Sequence, residues 1–424
     1  MESNGIFEEL RKSRKIIGDL DAGLDPVLTL FVGLYNASKY LDSIMHEIIT
    51  QTCKDVFIVI VDNNSEDDTW ERASEFLELL PGRVVICRNE FNMGGLGSLL
   101  LNLDLVRTEW FSLIHQDDIY MSHHFETIIG AIQSSDEDVV SVSTSMASID
   151  SEGKILGRSI RSQWLIKDFN QPSMFLANLR AQTVPWPSTA FKTEPFNAVK
   201  GYWTSSAFSD TEMTLLLTAY GKFRFIDQET MFYRENPHSE SHLVTTDDRE
   251  MTTFLSLARV FNSQEFMEIL RMVEREDRDK FIRELDRGIE KRLSSTFALL
   301  AAKTMSHEIL SKEWGFSNVA VVESLKIDYS HFASNQSVEL LQRILEYLKN
   351  FESDKNIKKL NRNGTNKNHE SASENGSGVG SSLVRRLYFR YGGVVPFRVA
   401  KFSLVKFYRI KIRFSRNNKD KYFE

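Results

Sequence analysis

Cysteine is scarce: the 424 residues hold two, Cys53 and Cys87, each inside an apolar, strand-like run. Two such residues make no disulfide framework and read as small core side chains in a reducing compartment. There is also no apolar run near the roughly 18 residues that a membrane-spanning helix needs. The opening stretch, MESNGIFEELRKSRKIIGDL, alternates basic and acidic residues and leads into no apolar core, so no secretory signal is read there. A cytoplasmic protein is the expectation. No internal repeat is visible. The remaining composition, 42% hydrophobic and 26% charged, is that of an ordinary soluble protein. The length leaves room for more than one domain.

The formal net charge of −7 hides an asymmetry. Residues 381–424 carry twelve Lys/Arg against two acids, roughly +10, which leaves roughly −17 on the rest. A body that acidic is a poor surface for nucleic acid.

Residues 4–20 place Ile6, Leu10, Ile16, Ile17 and Leu20 among charges and predict a short surface helix. Val27-Leu-Thr-Leu-Phe-Val32 is then a near-continuous apolar run, the pattern of a strand buried on both faces. A helical spacing follows over 38–52, a second buried strand over 56–61 and a second helix over 67–80. A third strand is expected over 84–87, a third helix over 95–107 and a fourth strand over 110–114. Alternation of this kind predicts right-handed parallel β-α-β units. Ligands bind such sheets at the carboxyl ends of the strands. Residues 246–350 read as largely helical and highly charged. Residues 353–382 are Gly-, Ser- and Asn-rich, the composition of a disordered linker.

Polar clusters follow three of the strands: Gly33-Leu-Tyr-Asn36, Asp62-Asn-Asn-Ser-Glu-Asp-Asp-Thr69 and His115-Gln-Asp-Asp118. Each has a bland reading, with Asn36 or Ser65 capping the next helix and Asp62 in a turn. Three clusters converging on one sheet edge point instead to a site. The neighbouring carboxylates Asp117 and Asp118 repel and raise each other's pKa unless a cation lies between them. A hard divalent ion, Mg²⁺ or Mn²⁺, takes one or two carboxylates together with phosphate oxygens, and would make a diphosphate a better leaving group.

The segment from Leu28 to Asp118 resembles the family-2 glycosyltransferases. Their pattern is a strand ending in a Pro-Thr-Tyr-Asn-like turn, then Val-Asp-Asp-Gly-Ser-x-Asp-x-Thr, Asn-x-Gly and Asp-x-Asp-Asp. The sequence has Gly33-Leu-Tyr-Asn36, Val61-Asp-Asn-Asn-Ser-Glu-Asp-Asp-Thr69, Asn92-Met-Gly94, Asn102 and His115-Gln-Asp-Asp118. Further on, Ser209-Asp210-Thr-Glu212 lies where the family has a Glu-Asp pair, and Tyr233-Arg-Glu-Asn-Pro-His-Ser-Glu-Ser241 resembles its Tyr-Arg-x-His-x-x-Ser-x-Ser. Four positions depart from the pattern: Gly33 for proline, His115 for the first aspartate, Ser209 for glutamate and Asn236 for a histidine.

The resemblance implies an α/β protein with a GT-A-type, Rossmann-like, mixed and mainly parallel sheet, followed by a helical region and a basic C-terminal tail. The expected segments are an N-terminal helical extension (1–24), a GT-A domain (25–245), a helical domain (246–352), the linker (353–382) and the tail (383–424). It implies transfer of a sugar, with inversion, from a nucleotide-diphosphate donor, typically uridine-linked, to a glycan or lipid-linked acceptor. Asp62 would hydrogen-bond the base, and Tyr35 and Asn36 would line the base and ribose pocket. Asn92 and Gly94 would lie along the donor. Asp117 would bind the metal with a third ligand from His238, His242 or Asn236, His238 being preferred. His115 and Asp118 would flank the ribose, diphosphate and sugar. Asp210 would be the general base, since an attacking hydroxyl must lose a proton; a helix N-cap is the other reading of Asp210, and Glu212 is the competing base. Trp186, Tyr202 and Trp203 could stack on acceptor rings or pack in the core, two equal readings.

Residues 383–414 interleave Arg/Lys with Leu387, Tyr388, Phe389, Phe397, Phe402, Phe407, Tyr408 and Phe414. Such a segment suits an anionic membrane surface, with RNA binding or docking on the body as alternatives. The membrane reading would put the protein on the inner face of a membrane as a peripheral component. Two other functions compete. A sugar nucleotidyltransferase needs a glycine-rich loop with Arg after the first strand, which Gly33-Leu-Tyr-Asn-Ala-Ser-Lys39 lacks. A non-catalytic sugar-binding or scaffold protein of the same fold is supported by the departures at His115, Ser209 and Asn236, and opposed by Asp62, Asp117, Asp118 and Asp210.

Overall fold

A computed structural model describes residues 3–20, 25–160, 170–181, 184–199, 209–235, 246–294 and 296–314. Most of the linker-proximal helical stretch, the linker, the tail, His238, His242, Asn236, Tyr202 and Trp203 lie outside the described residues. The chain divides into two compact units. The first comprises Met1–Ser205, Ser209–Leu243 and Glu268–Phe281, and the second Ser206–Phe208, Val244–Met267 and Ile282–Glu424.

The first unit opens with α1 (Ser3–Ser13), β1 (Lys15–Gly18), β2 (Leu28–Leu34), α2 (Leu41–Thr50), β3 (Val56–Asp62), α3 (Thr69–Ser74), α4 (Phe76–Leu79), β4 (Val84–Arg88) and α5 (Gly94–Asn102). It continues with β5 (Trp110–His115), β6 (Ile119–Tyr120), α6 (His124–Gln133), β7 (Val139–Ile149), β8 (Ile155–Ile160), α7 (Gln171–Arg180), β9 (Thr189–Lys192), α8 (Thr193–Val199), α9 (Ser209–Leu217) and β10 (Lys222–Arg234). One sheet runs β1-β4-β3-β2-β5-β9-β7-β10-β6, with β8 on β7. The four strands β4-β3-β2-β5 are parallel, as is β7 with β10, while β1, β6, β8 and β9 join antiparallel. This is the mixed GT-A-type sheet implied by the resemblance, and the four sequence-predicted strands match β2 to β5 within one or two residues.

Alternation explains why these runs are apolar throughout. Even-numbered residues of β2, β3 and β4, such as Leu30, Ile58 and Ile86, pack with Leu41, Ile44 and Ile48 of α2 and Trp70, Ala73 and Phe76 around α3 and α4. The odd-numbered Phe31, Val59 and Val85 are equally buried on the opposite face. Each such side chain contributes about 1.5–3 kcal/mol on burial, so β3, buried along its whole length, anchors the unit.

The expected helix over 4–20 is a correction. It ends at Ser13, and Lys15–Gly18 instead pairs antiparallel with β4, Ile16 opposite Cys87 and Ile17 opposite Ile86. Covering an open sheet edge outweighed continuation of the helical spacing. Gly18 is required at the end of this strand. Its φ is +105°, and a Cβ there would sit 2.6 Å from the Val84 carbonyl oxygen.

After residue 245 come α10 (Thr246–Phe261), α11 (Gln264–Met272), α12 (Arg278–Arg292) and α13 (Thr296–Trp314). Within the second unit the Phe261 and Phe266 rings lie 5.2 Å apart, and Ser294 N donates to Glu250 Oε1 at 2.8 Å. No helix among the described residues is long and apolar enough to cross a membrane.

Candidate functional site

Strand register brings the polar clusters to one edge. Gly33 stands beside Val61 on one side and His115 on the other, Leu34 beside Asp62, and Asp62 beside Arg88. The chain then leaves β2 through Tyr35 and Asn36. Asn36 has φ +47°, a left-handed conformation that asparagine tolerates better than most residues. Its Oδ1 accepts from Glu66 N at 2.9 Å and its own N donates to Ser65 Oγ at 2.9 Å. The two loops therefore brace each other. Gln116 pins Tyr35 from the third side: Tyr35 N donates to Gln116 Oε1 at 2.9 Å, and Gln116 Nε2 donates to Tyr35 O at 3.2 Å. Tyr35 itself remains 38% exposed. Gly33 faces open space, and a Cβ there would meet nothing within 4 Å.

Asp62 is fully buried. Its Oδ1 accepts from Ser65 N at 3.0 Å, and its Oδ2 lies 3.4 Å from Arg88 Nε without a hydrogen-bond partner among the described residues. A buried carboxylate needs such a counter-charge. Arg88 is held in turn by the Ser65 carbonyl at 2.9 Å and by the face of Trp70 at 5.8 Å. The neighbouring Asn63 organises the third loop. Its Nδ2 donates to Asn92 Oδ1 at 2.8 Å and to Gly94 O at 3.3 Å, and Gly94, with φ +71°, donates its N to Asn92 Oδ1 at 2.9 Å.

The carboxylate pair after β5 is asymmetric. Asp117 is half-buried and Asp118 is buried. Asp118 Oδ1 accepts from Arg234 N at 2.8 Å; its Oδ2 has no hydrogen-bond partner among the described residues and lies 3.9 Å from His115 Nδ1. Burial pushes the Asp118 pKa well above the usual carboxylate range, against the Arg234 hydrogen bond and with the help of the Asp117 charge. Arg234 also clamps the turn, its Nε donating to Asp117 O at 2.7 Å and its Nη1 to the carbonyls of Asp150 and Ser151, each at 3.0 Å. Below the pair, Tyr120 OH accepts from His115 N at 3.1 Å, and Tyr120 N donates to Glu47 Oε2 at 2.9 Å. Glu47 is buried on α2, and that burial raises its pKa.

Asp210 lies in the first turn of α9, where the helix dipole favours a carboxylate, and its Oδ1 accepts from Thr211 N at 2.6 Å. Tyr233, on β10, is half-buried. Burial raises the Tyr233 pKa, and the charges of Asp118, Asp117, Glu235 and Asp210 all push it further. Glu212, the competing base, is 1% exposed.

Among the described residues, no three His, Cys, Asp or Glu side chains gather where one ion could be held. Asp117 and Asp118 still fit a hard divalent cation, because such an ion needs only one or two carboxylates beside phosphate and water, and Asp118 Oδ2 is an acceptor without a hydrogen-bond partner among the described residues. Trp186 settles on the core reading. It is 7% exposed, packs edge-on against Phe191 at 5.3 Å and donates Nε1 to Thr214 Oγ1 at 2.9 Å.

Residues 29–199 match the family model described as Glycosyl transferase family 2. This stretch is a family-2 glycosyltransferase domain. The glycosyltransferase GlyG of Streptococcus pneumoniae serotype 4 is 26% identical over 117 residues, 28% of this chain and 38% of that protein. The Escherichia coli protein WfaP, named as a UDP-Glc:alpha-D-GlcNAc-diphosphoundecaprenol beta-1,3-glucosyltransferase, is 21% identical over 96 residues, 23% of this chain and 37% of that protein. The chain therefore spans under two fifths of these curated relatives. A crystal structure of S. aureus TarS with UDP-GlcNAc superposes with a TM-score of 0.45 at 14% identity, over 68% of this chain and 88% of that one. The family-2 stretch contains Tyr35, Asn36, Asp62, Asn92, Gly94 and His115 to Asp118; Asp210, Tyr233 and Arg234 lie beyond it.

Sequence reasoning assigned no role to Gln116, Asn63, Arg88, Glu47 or Arg234. Glu47 had a signal, a lone carboxylate on the apolar stripe of α2 beside Ile44 and Ile48. Gln116 occupies a variable place in its motif, and only the fold reveals that it brackets Tyr35.

Proposed function

We propose that this chain transfers a sugar from a nucleoside-diphosphate donor, UDP-linked, to a hydroxyl of a glycan or lipid-linked acceptor, with inversion and the help of a divalent cation. The observation that carries this reading is the strand edge itself: Asp62 at the end of β3 lies beside β2, β2 lies beside His115 at the end of β5, and the carboxylates Asp117 and Asp118 follow directly, with Asp118 Oδ2 lacking a hydrogen-bond partner among the described residues. The naming of WfaP as a UDP-Glc transferase supports the choice of donor.

Asp62 and Tyr35 would receive the base and ribose, and Asn92 and Gly94 the donor backbone. His115 and Asp118 would flank the ribose, diphosphate and sugar, and Asp117 and His238 would hold Mg²⁺ or Mn²⁺, which when bound supplies positive charge to the departing diphosphate. Asp210 would take the acceptor hydroxyl proton. As the acceptor oxygen bonds to the anomeric carbon, the carbon–oxygen bond to diphosphate breaks and its electron pair leaves with the phosphate. Attack opposite the leaving group inverts the anomeric centre. The basic tail, 383–424, would hold the enzyme at an anionic membrane surface beside lipid-linked acceptors.

A panel of nucleotide sugars tests this, with thermal stabilisation and diphosphate release measured with and without Mn²⁺. A UDP-sugar should stabilise the protein and be slowly hydrolysed. Absence of any response across the panel would leave the non-catalytic reading standing.

A further inference from the structure

The Phe91–Gly94 loop is held by a side-chain chain that begins outside the family-2 stretch. Arg14, whose side chain is 7% exposed, lies just before β1 and donates Nη1 to Asn102 Oδ1 at 3.1 Å while pairing with Asp104. Asn102, fully buried, donates Nδ2 to Asn89 Oδ1 at 2.9 Å and to Ser98 O at 2.9 Å. Asn89, 1% exposed, donates Nδ2 to Asn63 Oδ1 at 3.0 Å and to Ser98 Oγ at 2.9 Å. Asn63 completes the run on the loop: its Oδ1 accepts from Met93 N at 3.0 Å, and its Nδ2 reaches Asn92 Oδ1 and Gly94 O.

This chain has a direction. Arginine has only donors, so Asn102 must turn its oxygen toward Arg14 and its amino group toward Asn89. The same choice is forced on Asn89 and then on Asn63, because a reversed amide would bury donor against donor. Ser98 O at Asn102 Nδ2, and Met93 N and Gly94 O at Asn63, hold the amides in the same sense, so the run is oriented consistently from Arg14 to the loop.

We propose that Arg14 is a positioning residue that sets the shape of the Phe91–Gly94 loop through the Asn102, Asn89 and Asn63 amides. This rests on the reading of Asn92 and Gly94 as part of the donor site. It gives the N-terminal segment, which lies outside the family-2 stretch, a role in donor binding.

The test uses the full chain, with UDP and MnCl₂ as probe, calorimetry for affinity and hydrogen exchange for the loop. Arg14→Ala should weaken UDP binding by about tenfold and raise the donor KM while kcat stays within about twofold, the pattern of lost uniform binding. Exchange at Met93 and Gly94 should accelerate, while Ile58 to Ile60 in β3 stay protected. Arg14→Lys keeps the charge and one donor but not the fork to Asn102 and both Asp104 oxygens, so it should recover only part of both readouts. Asp104→Asn, a substitution at a partly exposed position, should give a milder form of the same change and serves if Arg14→Ala does not fold. Wild-type UDP affinity together with unchanged Met93 and Gly94 exchange in Arg14→Ala overturns the proposal, as does accelerated exchange spread evenly over β2 to β4. If the wild type binds no UDP but Met93 and Gly94 still loosen in Arg14→Ala, the relay stands and the donor reading alone falls.

Discussion

Removing the Arg234 side chain should loosen the Asp117 turn, take a favourable charge from beside Asp118 and leave the main-chain hydrogen bond to Asp118 in place. In Arg234→Ala the backbone hydrogen bond to Asp118 Oδ1 survives, because the donor is the main-chain N. Three side-chain contacts are lost, to the carbonyls of Asp117, Asp150 and Ser151. Hydrogen bonds to charged groups are each worth about 1.5–3 kcal/mol when intact. Two of the three share one nitrogen, and the freed carbonyls lie near the surface, where water replaces part of the loss. A net cost of about 2–4 kcal/mol follows. That is a large share of the roughly 5–15 kcal/mol that holds a typical domain together. Urea unfolding measures it, with Arg234→Lys as the control: lysine reaches one carbonyl but cannot fork to three, so it should recover less than half. Binding of UDP with Mn²⁺ should weaken in parallel, since Asp117 is no longer fixed. If Arg234→Ala unfolds within about 0.5 kcal/mol of wild type, the scale of an ordinary surface substitution, and binds UDP equally well, the clamp is idle and this reasoning is wrong.

Three further outcomes are expected. Asp210→Asn keeps size and hydrogen bonding but cannot accept a proton, so donor affinity should persist while turnover drops by about 10²-fold or more; turnover within a few-fold of wild type would take the base role away from Asp210. Glu47 has a raised folded-state pKa, so the stability it contributes is present below the usual glutamate range and is lost as pH climbs through the raised value; Glu47→Gln should gain on wild type in urea midpoint as pH rises, and a gap independent of pH would contradict the assigned cause. Deletion of residues 383–424 should release the protein from anionic vesicles and leave donor hydrolysis unchanged, with unaltered sedimentation ruling out the tail as anchor.

Much of the site edge was legible because buried parallel strands are written as unbroken apolar runs. Val56 to Val61 could be placed by inspection, and whatever follows such a run must stand at the sheet edge. The chemistry-bearing Asp62, Asp117 and Asp118 are therefore visible in sequence. Their asymmetry is not. Asp118 is buried because Arg234 N, 116 residues away, takes its oxygen, while adjacent Asp117 keeps partial access to solvent. Strand β7 escaped for a different reason. Its run Val-Val-Ser-Val-Ser-Thr-Ser-Met-Ala-Ser-Ile looks half polar, yet it is buried throughout: Ser143 bonds Thr189 at 2.7 Å and Thr144 bonds Thr230 at 2.6 Å, while the hydroxyls of Ser141, Ser145 and Ser148 are buried with no hydrogen-bond partner among the described residues. Long-range pairing of hydroxyls leaves no periodic trace. The same holds for Asn63, Asn89 and Asn102, whose partners are spread along the chain and meet only in the folded sheet.

Calorimetric titration of UDP into the wild type and Asp117→Ala, each with Mn²⁺ and then with EDTA, bears on the whole functional reading. The wild type should bind with Mn²⁺ and lose at least tenfold in affinity with EDTA, whereas Asp117→Ala should be folded, weak and indifferent to the ion. Equal wild-type affinity in Mn²⁺ and EDTA would remove the metal from the site, and absence of UDP binding in either condition would contradict a UDP-sugar donor at this strand edge.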